Sequence, residues 1–408
     1  MKVLMLSWEY PPHNVGGMGK HVTELIPALG RAGVEVHLIT PRQAAGAASE
    51  VICPVIRPDG TTGQSVVYRV DVPAGDAGSF FVGAQRTNQP LEAFARSLID
   101  DVGPFDLVHA HDWLVAFAGV ALKQAYKLPL LATIHATEYG RCRGFVVSEL
   151  SQAINNVEWW LTYEAWRVIC CSHFMANEIA TALGTPPDKV DVIPNGVDTS
   201  RFDALAGEDL TDFRLDFARP DEKIVFYVGR VVYEKGVHLL VEAMPLVLAE
   251  WPVKLVVAGT GDSLNAVRQL ARDRGVAASC FFTGFIPDGV RDRLFRVADV
   301  AAFPSLYEPF GIVALEAMAA RAPVVASEVG GIAEVLQHAE NAITVIPGRA
   351  DSLAWGILHT LENPDWARQR AANAYRMVRE EFNWNAIAEQ TTETYDRIVG
   401  ERQATTWD

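Results

Sequence analysis

Glu308-Pro309-Phe310-Gly311, followed by Glu316-Ala317-Met318, sets two carboxylates eight positions apart just after an apolar, strand-like run from Val300 to Phe303. Gly311 falls where a helix would start, and a helix N-terminus offers unpaired N–H groups and a positive dipole end to a phosphate. On one helix the carboxylates would stand roughly 12 Å apart at 1.5 Å per residue. That is too far to flank one bond as the carboxylates of glycosidases do, at about 5–9.5 Å. Each therefore suits a different hydroxyl-bearing part of one long ligand, although Glu316 alone would also fit a solvated helix surface.

Gly229-Arg230 and Lys235-Gly236 follow a second apolar run, Ile224 to Val228. Two cations delivered at a strand's carboxyl end suit a diphosphate, Arg230 by a bidentate contact and Lys235 as a point charge. A departing oxygen would gather negative charge there. Ordinary surface charges are the alternative. Gly16, Gly17 and Gly19 lie between a first strand and a helix beginning near Lys20, where the backbone can approach a ligand closely. Their spacing fits neither phosphate-binding fingerprint, so the segment reads as a loop closing over a ligand or as a plain tight turn. His109-Ala110-His111-Asp112-Trp113 and Thr133 to Arg141, which contains His135, end two more strands. Asp112 and His135 share one expected rim. His109 and His111 alternate on a strand in the manner of metal ligands, but a lone histidine is more often a satisfied core residue, and no metal site is expected.

The elements that must hold these groups are short apolar runs alternating with longer helical patterns, the signature of parallel α/β units. Residues 2–8, Val34 to Thr40, Leu107 to Ala110, Leu130 to His135, Val168 to Cys171 and Val190 to Ile193 read as strands of one series. Pro194-Asn195-Gly196-Val197-Asp198 reads as a turn leaving it, and 199–221 as a linker with a short helix. A second series runs through Ile224 to Val228, Lys254 to Ala258, Cys280 to Thr283, Val300 to Phe303 and Val324 to Ala326. The expected organisation is a Rossmann-like domain over 1–200, a second over 201–384, and a last helix, about 385–408, packing back on the first. In open parallel sheets ligands gather at the carboxyl ends of strands, where all the residues above fall.

A chain of 408 residues exceeds a single core and fits two domains. Its net charge of -15 argues against a role on nucleic acid or anionic membrane surfaces. No apolar run approaches the roughly 20 residues of a transmembrane helix, and the first residues read as a strand rather than a secretory signal. Five cysteines without a C-x-x-C pair make neither a disulfide framework nor a zinc site. A cytoplasmic protein with reduced thiols is expected.

Taken together, Pro11-Pro12…Gly16-Gly17, His111-Asp112-Trp113, Thr133 to Arg141, Pro194 to Asp198, Gly229-Arg230…Lys235-Gly236 and the pair Glu308 and Glu316 resemble family 4 glycosyltransferases of the GT-B superfamily, especially bacterial and archaeal glycogen synthase-like members. The resemblance covers nearly the whole chain. It implies two Rossmann-like domains with parallel sheets facing each other across a cleft, and retaining transfer of a sugar from a nucleotide diphosphate sugar to a carbohydrate acceptor. Arg230 and Lys235 would hold the diphosphate, and Glu308, with Pro309, Phe310 and Gly311 beside it, the donor sugar. His135 would lie near the sugar's 6-hydroxyl, Asp112 near sugar and acceptor, and Glu316 at the ribose. Gly16 and Gly17 would line the phosphate and acceptor loop. Transfer would proceed by front-side attack with no protein nucleophile. No D-x-D triplet occurs, so the metal-diphosphate motif of many GT-A transferases is missing, no cofactor is expected, and the two cations take the metal's part.

The His135-Ala136-Thr137-Glu138-Tyr139-Gly140-Arg141 segment looks like that of α-glucan synthases, which implies ADP-glucose or UDP-glucose and glycogen. A K-x-G-G-L loop, usual in bacterial glycogen synthases, is replaced here by His13-Asn14-Val15-Gly16-Gly17-Met18. Maltose-1-phosphate, sucrose-type or cell-envelope glycan synthesis therefore stays open. Rival readings are a nucleotide-sugar 2-epimerase and a catalytically silent sugar-nucleotide module. Neither the nucleotide base nor the oligomeric state follows from the sequence.

Overall fold

Apolar runs, most of them buried, form the strands of two separate sheets in the computed structural model, which describes all residues except 14–15, 44, 73–77 and 408. The chain divides into two compact units, Met1–Asn195 with Trp384–Asp408, and Gly196–Asn383. The first unit contains β1 (Lys2–Leu6), β2 (Glu35–Pro41), β3 (Ser49–Ile56), β4 (Thr62–Val70), β5 (Leu107–His111), β6 (Leu130–Ile134), β7 (Arg167–Cys170) and β8 (Val190–Val192). Their order in the sheet is β3-β4-β2-β1-β5-β6-β7-β8, parallel throughout except for the antiparallel pair β3–β4. The second unit contains β9 (Lys223–Val228), β10 (Val253–Ala258), β11 (Cys280–Gly284), β12 (Val300–Phe303), β13 (Val324–Ser327) and β14 (Ile343–Val345), in the wholly parallel order β11-β10-β9-β12-β13-β14.

The topology decides where a ligand can sit. In each sheet the strand order reverses at one place, between β1 and β5 in the first and between β9 and β12 in the second. Loops leaving the carboxyl ends of these strand pairs diverge to opposite faces and leave a crevice. The glycine loop follows β1 and His111-Asp112 follows β5; Arg230 and Lys235 follow β9, and Glu308 follows β12.

Apolar burial holds both frames. In the first unit Val3, Met5, Val36 and Leu38 of the sheet pack with Val22, Leu25, Ile26 and Leu29 of the helix Gly17–Arg31. The same core takes Trp384, Ile387, Ala388, Tyr395 and Ile398 from the terminal helix Trp384–Gln403. The second unit closes over Val225, Leu255, Val257 and Val300 with the helices Val237–Glu250 and Ala350–Glu362. Residues 199–221 are no loose linker: they carry the helices Ser200–Asp203 and Thr211–Leu215, and Phe202 is fully buried. All five cysteines are free thiols. No helix among the described residues is long and apolar enough to cross a membrane.

Candidate active site

In the second unit, two loops that follow neighbouring strands are clasped together. Leu306 N and Tyr307 N, beyond β12, both donate to Glu234 O, beyond β9. Gly236 ends the β9 loop at φ +68°, and a Cβ there would lie 1.9 Å from Pro304 O, so only glycine lets the loops close. Lys235 Nζ consequently lies 2.7 Å from Glu308 Oε2, which also accepts from Ser305 Oγ at 3.0 Å. Arg230 stands on the same rim, its side chain 44% exposed and 3.6 Å from Glu234, a pair too open to contribute much. Its guanidinium is thus available to an anion.

Gly311, at φ +94°, precedes the helix Ile312–Ala319 with no side-chain cap, while Phe310 is buried beside it and Pro309 continues the chain from Glu308. The helix starts at Gly311 as expected: the backbone turns left-handed there, so Glu308 stays in the loop and Glu316 is helical. Glu316 is no solvated surface group. It is buried, with Arg201 Nη2 at 2.5 Å and Arg291 Nη2 at 3.5 Å from its Oε1. Asp292 joins the cluster, 3.0 Å from Arg291 and 3.7 Å from Arg201. Two guanidinium groups hold this carboxylate.

In the first unit, Asp112 follows β5 with φ +59°, unusual for a residue with a Cβ. Its backbone N donates to Thr133 O at 2.9 Å, and its Oδ1 accepts from the backbone N of His135 at 2.8 Å. The β5 and β6 ends are thereby joined, and Asp112 and His135 are brought together. Burial pushes the Asp112 carboxyl up to about 6, against the opposing charge of Arg141. Four imidazoles crowd behind this rim. His109 is a satisfied core residue: Nδ1 is 2.8 Å from Tyr395 Oη and Nε2 is 2.7 Å from Thr133 Oγ1. His111 Nδ1 lies 3.0 Å from His135 Nε2, and His21 Nδ1 lies 2.6 Å from Asn195 Oδ1. Burial alone pulls His135 down to about 3, and burial with the neighbouring His135 does the same for His21, so both rings are neutral.

Gly16 caps the helix Gly17–Arg31, and a Cβ on it would meet nothing within 4 Å among the described residues. Asn14 and Val15 of the same loop lie outside the described residues. A carboxylate already faces these amides: Glu9 Oε2 accepts from Gly16 N at 2.9 Å and from Gly19 N at 3.3 Å. The sequence by itself assigns no role to Glu9, Asn195, Arg201, Ser305 or His21. Only Asn195 had a signal, its place in the Pro194 to Asp198 motif. A further hidden group is Glu158, whose two carboxylate oxygens accept from Glu138 N at 2.9 Å each; burial pushes it up to about 8.

Both halves of the chain match known families. The model described as Glycosyltransferase Family 4 matches residues 15–201, and Glycosyl transferases group 1 matches 211–377. An uncharacterized glycosyltransferase of Methanocaldococcus jannaschii is 38% identical over 397 residues, covering 97% of this chain and 98% of the relative. A glycogen synthase of Mycobacterium tuberculosis is 36% identical over 416 residues, covering 99% and 96%. Among solved structures, a sucrose-phosphate synthase from Thermosynechococcus elongatus superimposes with a TM-score of 0.80 at 25% identity, covering 98% of this chain and 99% of that one. Two parallel α/β units, matched over almost every residue by such relatives, make this chain a member of the family 4 glycosyltransferases of the GT-B superfamily, a hexosyl-transferring enzyme.

Proposed function

We propose that the enzyme is a retaining transferase that moves glucose from ADP-glucose or UDP-glucose to an α-glucan such as glycogen, in the cytoplasm. The observation that carries this reading is at the β9/β12 reversal point, where Lys235 pairs with Glu308 and Arg230 stands on the same β9 loop as Lys235. Two cations beside one carboxylate suit a diphosphate joined to a hydroxyl-rich sugar. The glycogen synthase relative, at 36% identity over 99% of this chain, supports the choice of glucose and α-glucan.

In this mechanism the bond between the sugar C1 and the diphosphate oxygen breaks while an acceptor hydroxyl oxygen bonds to C1 from the same face. The hydroxyl proton passes to the departing phosphate, so no protein nucleophile is assigned. Arg230 and Lys235 neutralise the charge that gathers on the leaving diphosphate, in place of a resident metal. The uncapped amides at Gly311 add a positive dipole end. Glu308, with Pro309 and Phe310 shaping its loop, orients sugar hydroxyls, and Glu316 is assigned to the ribose by the family resemblance. On the first unit, neutral His135 contacts the 6-hydroxyl, Asp112 the sugar and acceptor, and Gly16 and Gly17 the phosphate side.

Incubation of donor glucose labelled with carbon-13 at C1 with glycogen tests the chemistry directly. The account expects α-linked label in a polymer that an α-glucan hydrolase degrades. A β-linked product contradicts retention; label appearing only when glucose-1-phosphate or fructose-6-phosphate replaces glycogen contradicts the polymer acceptor.

A further inference from the structure

Three histidines of the first unit reach one place from three separate elements: His21 on the helix Gly17–Arg31, His111 at the end of β5, and His135 just past β6. One ligand nitrogen from each lies within 4.8 Å of the other two. Ring centroids are 5.5 Å apart for His21 and His111, 4.8 Å for His21 and His135, and 5.3 Å for His111 and His135. A zinc ion bound to imidazoles at 2.0–2.1 Å holds its ligand nitrogens about 3.3 Å apart in a tetrahedron. The 3.0 Å separation of His111 Nδ1 and His135 Nε2 is already close to that.

The other contacts of these rings fit the same reading. Asn195 Oδ1 holds the proton of His21 on Nδ1 and leaves its Nε2 lone pair available, as an outer partner does in metal sites. His111 Nε2 is buried and has no hydrogen-bond partner among the described residues. His135 is partly buried, whereas His21 and His111 are buried. His109 is excluded because both of its nitrogens are engaged.

We propose that His21, His111 and His135 form a binding site for a divalent transition-metal ion, zinc foremost, held by three imidazole nitrogens with a fourth position open. The ion replaces the hydrogen bond between His111 Nδ1 and His135 Nε2, with His111 taken as its donor. That proton moves to the unpartnered Nε2 of His111, and no net proton is released. The site stands on these three rings and does not depend on the sugar-transfer reading. Where that reading holds, the ion is an inhibitor, since His135 cannot serve metal and sugar together.

Protein stripped of metal and titrated with Co²⁺ tests the proposal. One Co²⁺ per chain, with the intense visible bands of a four-coordinate ion and displacement by Zn²⁺, is the expected result, together with at least tenfold weaker binding in His21→Gln and His111→Gln. Should either variant fail to fold, histidine-labelled nitrogen-15 spectra of the wild-type protein decide: Zn²⁺ should shift these three imidazoles at one equivalent. Absence of stoichiometric uptake, a weak six-coordinate spectrum, unchanged affinity in both folded variants, or shifts confined to other histidines would overturn it.

Discussion

Lys235 and Glu308 neutralise one another at 2.7 Å, so a donor that binds there must exchange a formed ion pair for contacts to its diphosphate and sugar. Removing either partner leaves the other uncompensated and withdraws a transition-state contact. Lys235→Ala and Glu308→Ala should each lower turnover at least a hundredfold, about 2.7 kcal/mol; steady-state rates near wild type in either would contradict the assignment. Asp112 makes a separate prediction. Its folded pKa of about 6 lies above the unsuppressed value of 3.8, so its contribution favours folding below that lower value and is lost as pH rises through about 6. Asp112→Asn keeps the acceptor for His135 N–H and removes the buried charge. The variant should gain thermal stability relative to wild type at pH 7.5, on the order of 1–3 kcal/mol, with a smaller gain at pH 5 and loss of sugar transfer. A stability difference independent of pH would refute the buried charge as its cause. At this scale the sequence exposed the reactive residue types but not their partners. Arg201 is 115 positions from Glu316, and Asn195 is 174 positions from His21; such pairs arise only once the sheets bring distant loops together.

Elements were legible where burial on both faces left a continuous apolar run, as in β9 and β10. β3 was missed because its Ser49–Ile56 pattern is largely exposed, and β14 because three residues, Ile343–Val345, carry little period. The helix start read at Gly311 holds, and the left-handed turn there, packed against Ile332 far along the chain, keeps Glu308 out of the helix that carries Glu316. Gly236 shows what such a position demands. Gly236→Ala forces a Cβ to within 1.9 Å of Pro304 O at φ +68°. It should cost more than about 2 kcal/mol, seen as a lower urea midpoint at unchanged slope, and should raise the donor KM by displacing Lys235. Wild-type stability in that variant would show that the clasp between the β9 and β12 loops is looser than drawn.

Across the whole chain, alternation of strands and helices announced the parallel α/β class, and the reversal points then explain why motifs more than 70 residues apart, such as Lys235 and Glu308, converge. With Arg230 and Lys235 acting in place of a metal, chelator treatment should leave turnover within about twofold; a loss restored by Mg²⁺ or Mn²⁺ would contradict that role. The most direct test of the central claim is nucleotide release from ADP-glucose, UDP-glucose, GDP-mannose and UDP-N-acetylglucosamine, each with and without glycogen. The account predicts glycogen-dependent release of ADP or UDP from a glucose donor, accompanied by chain extension. Release from neither glucose donor, or release indifferent to glycogen, would contradict it.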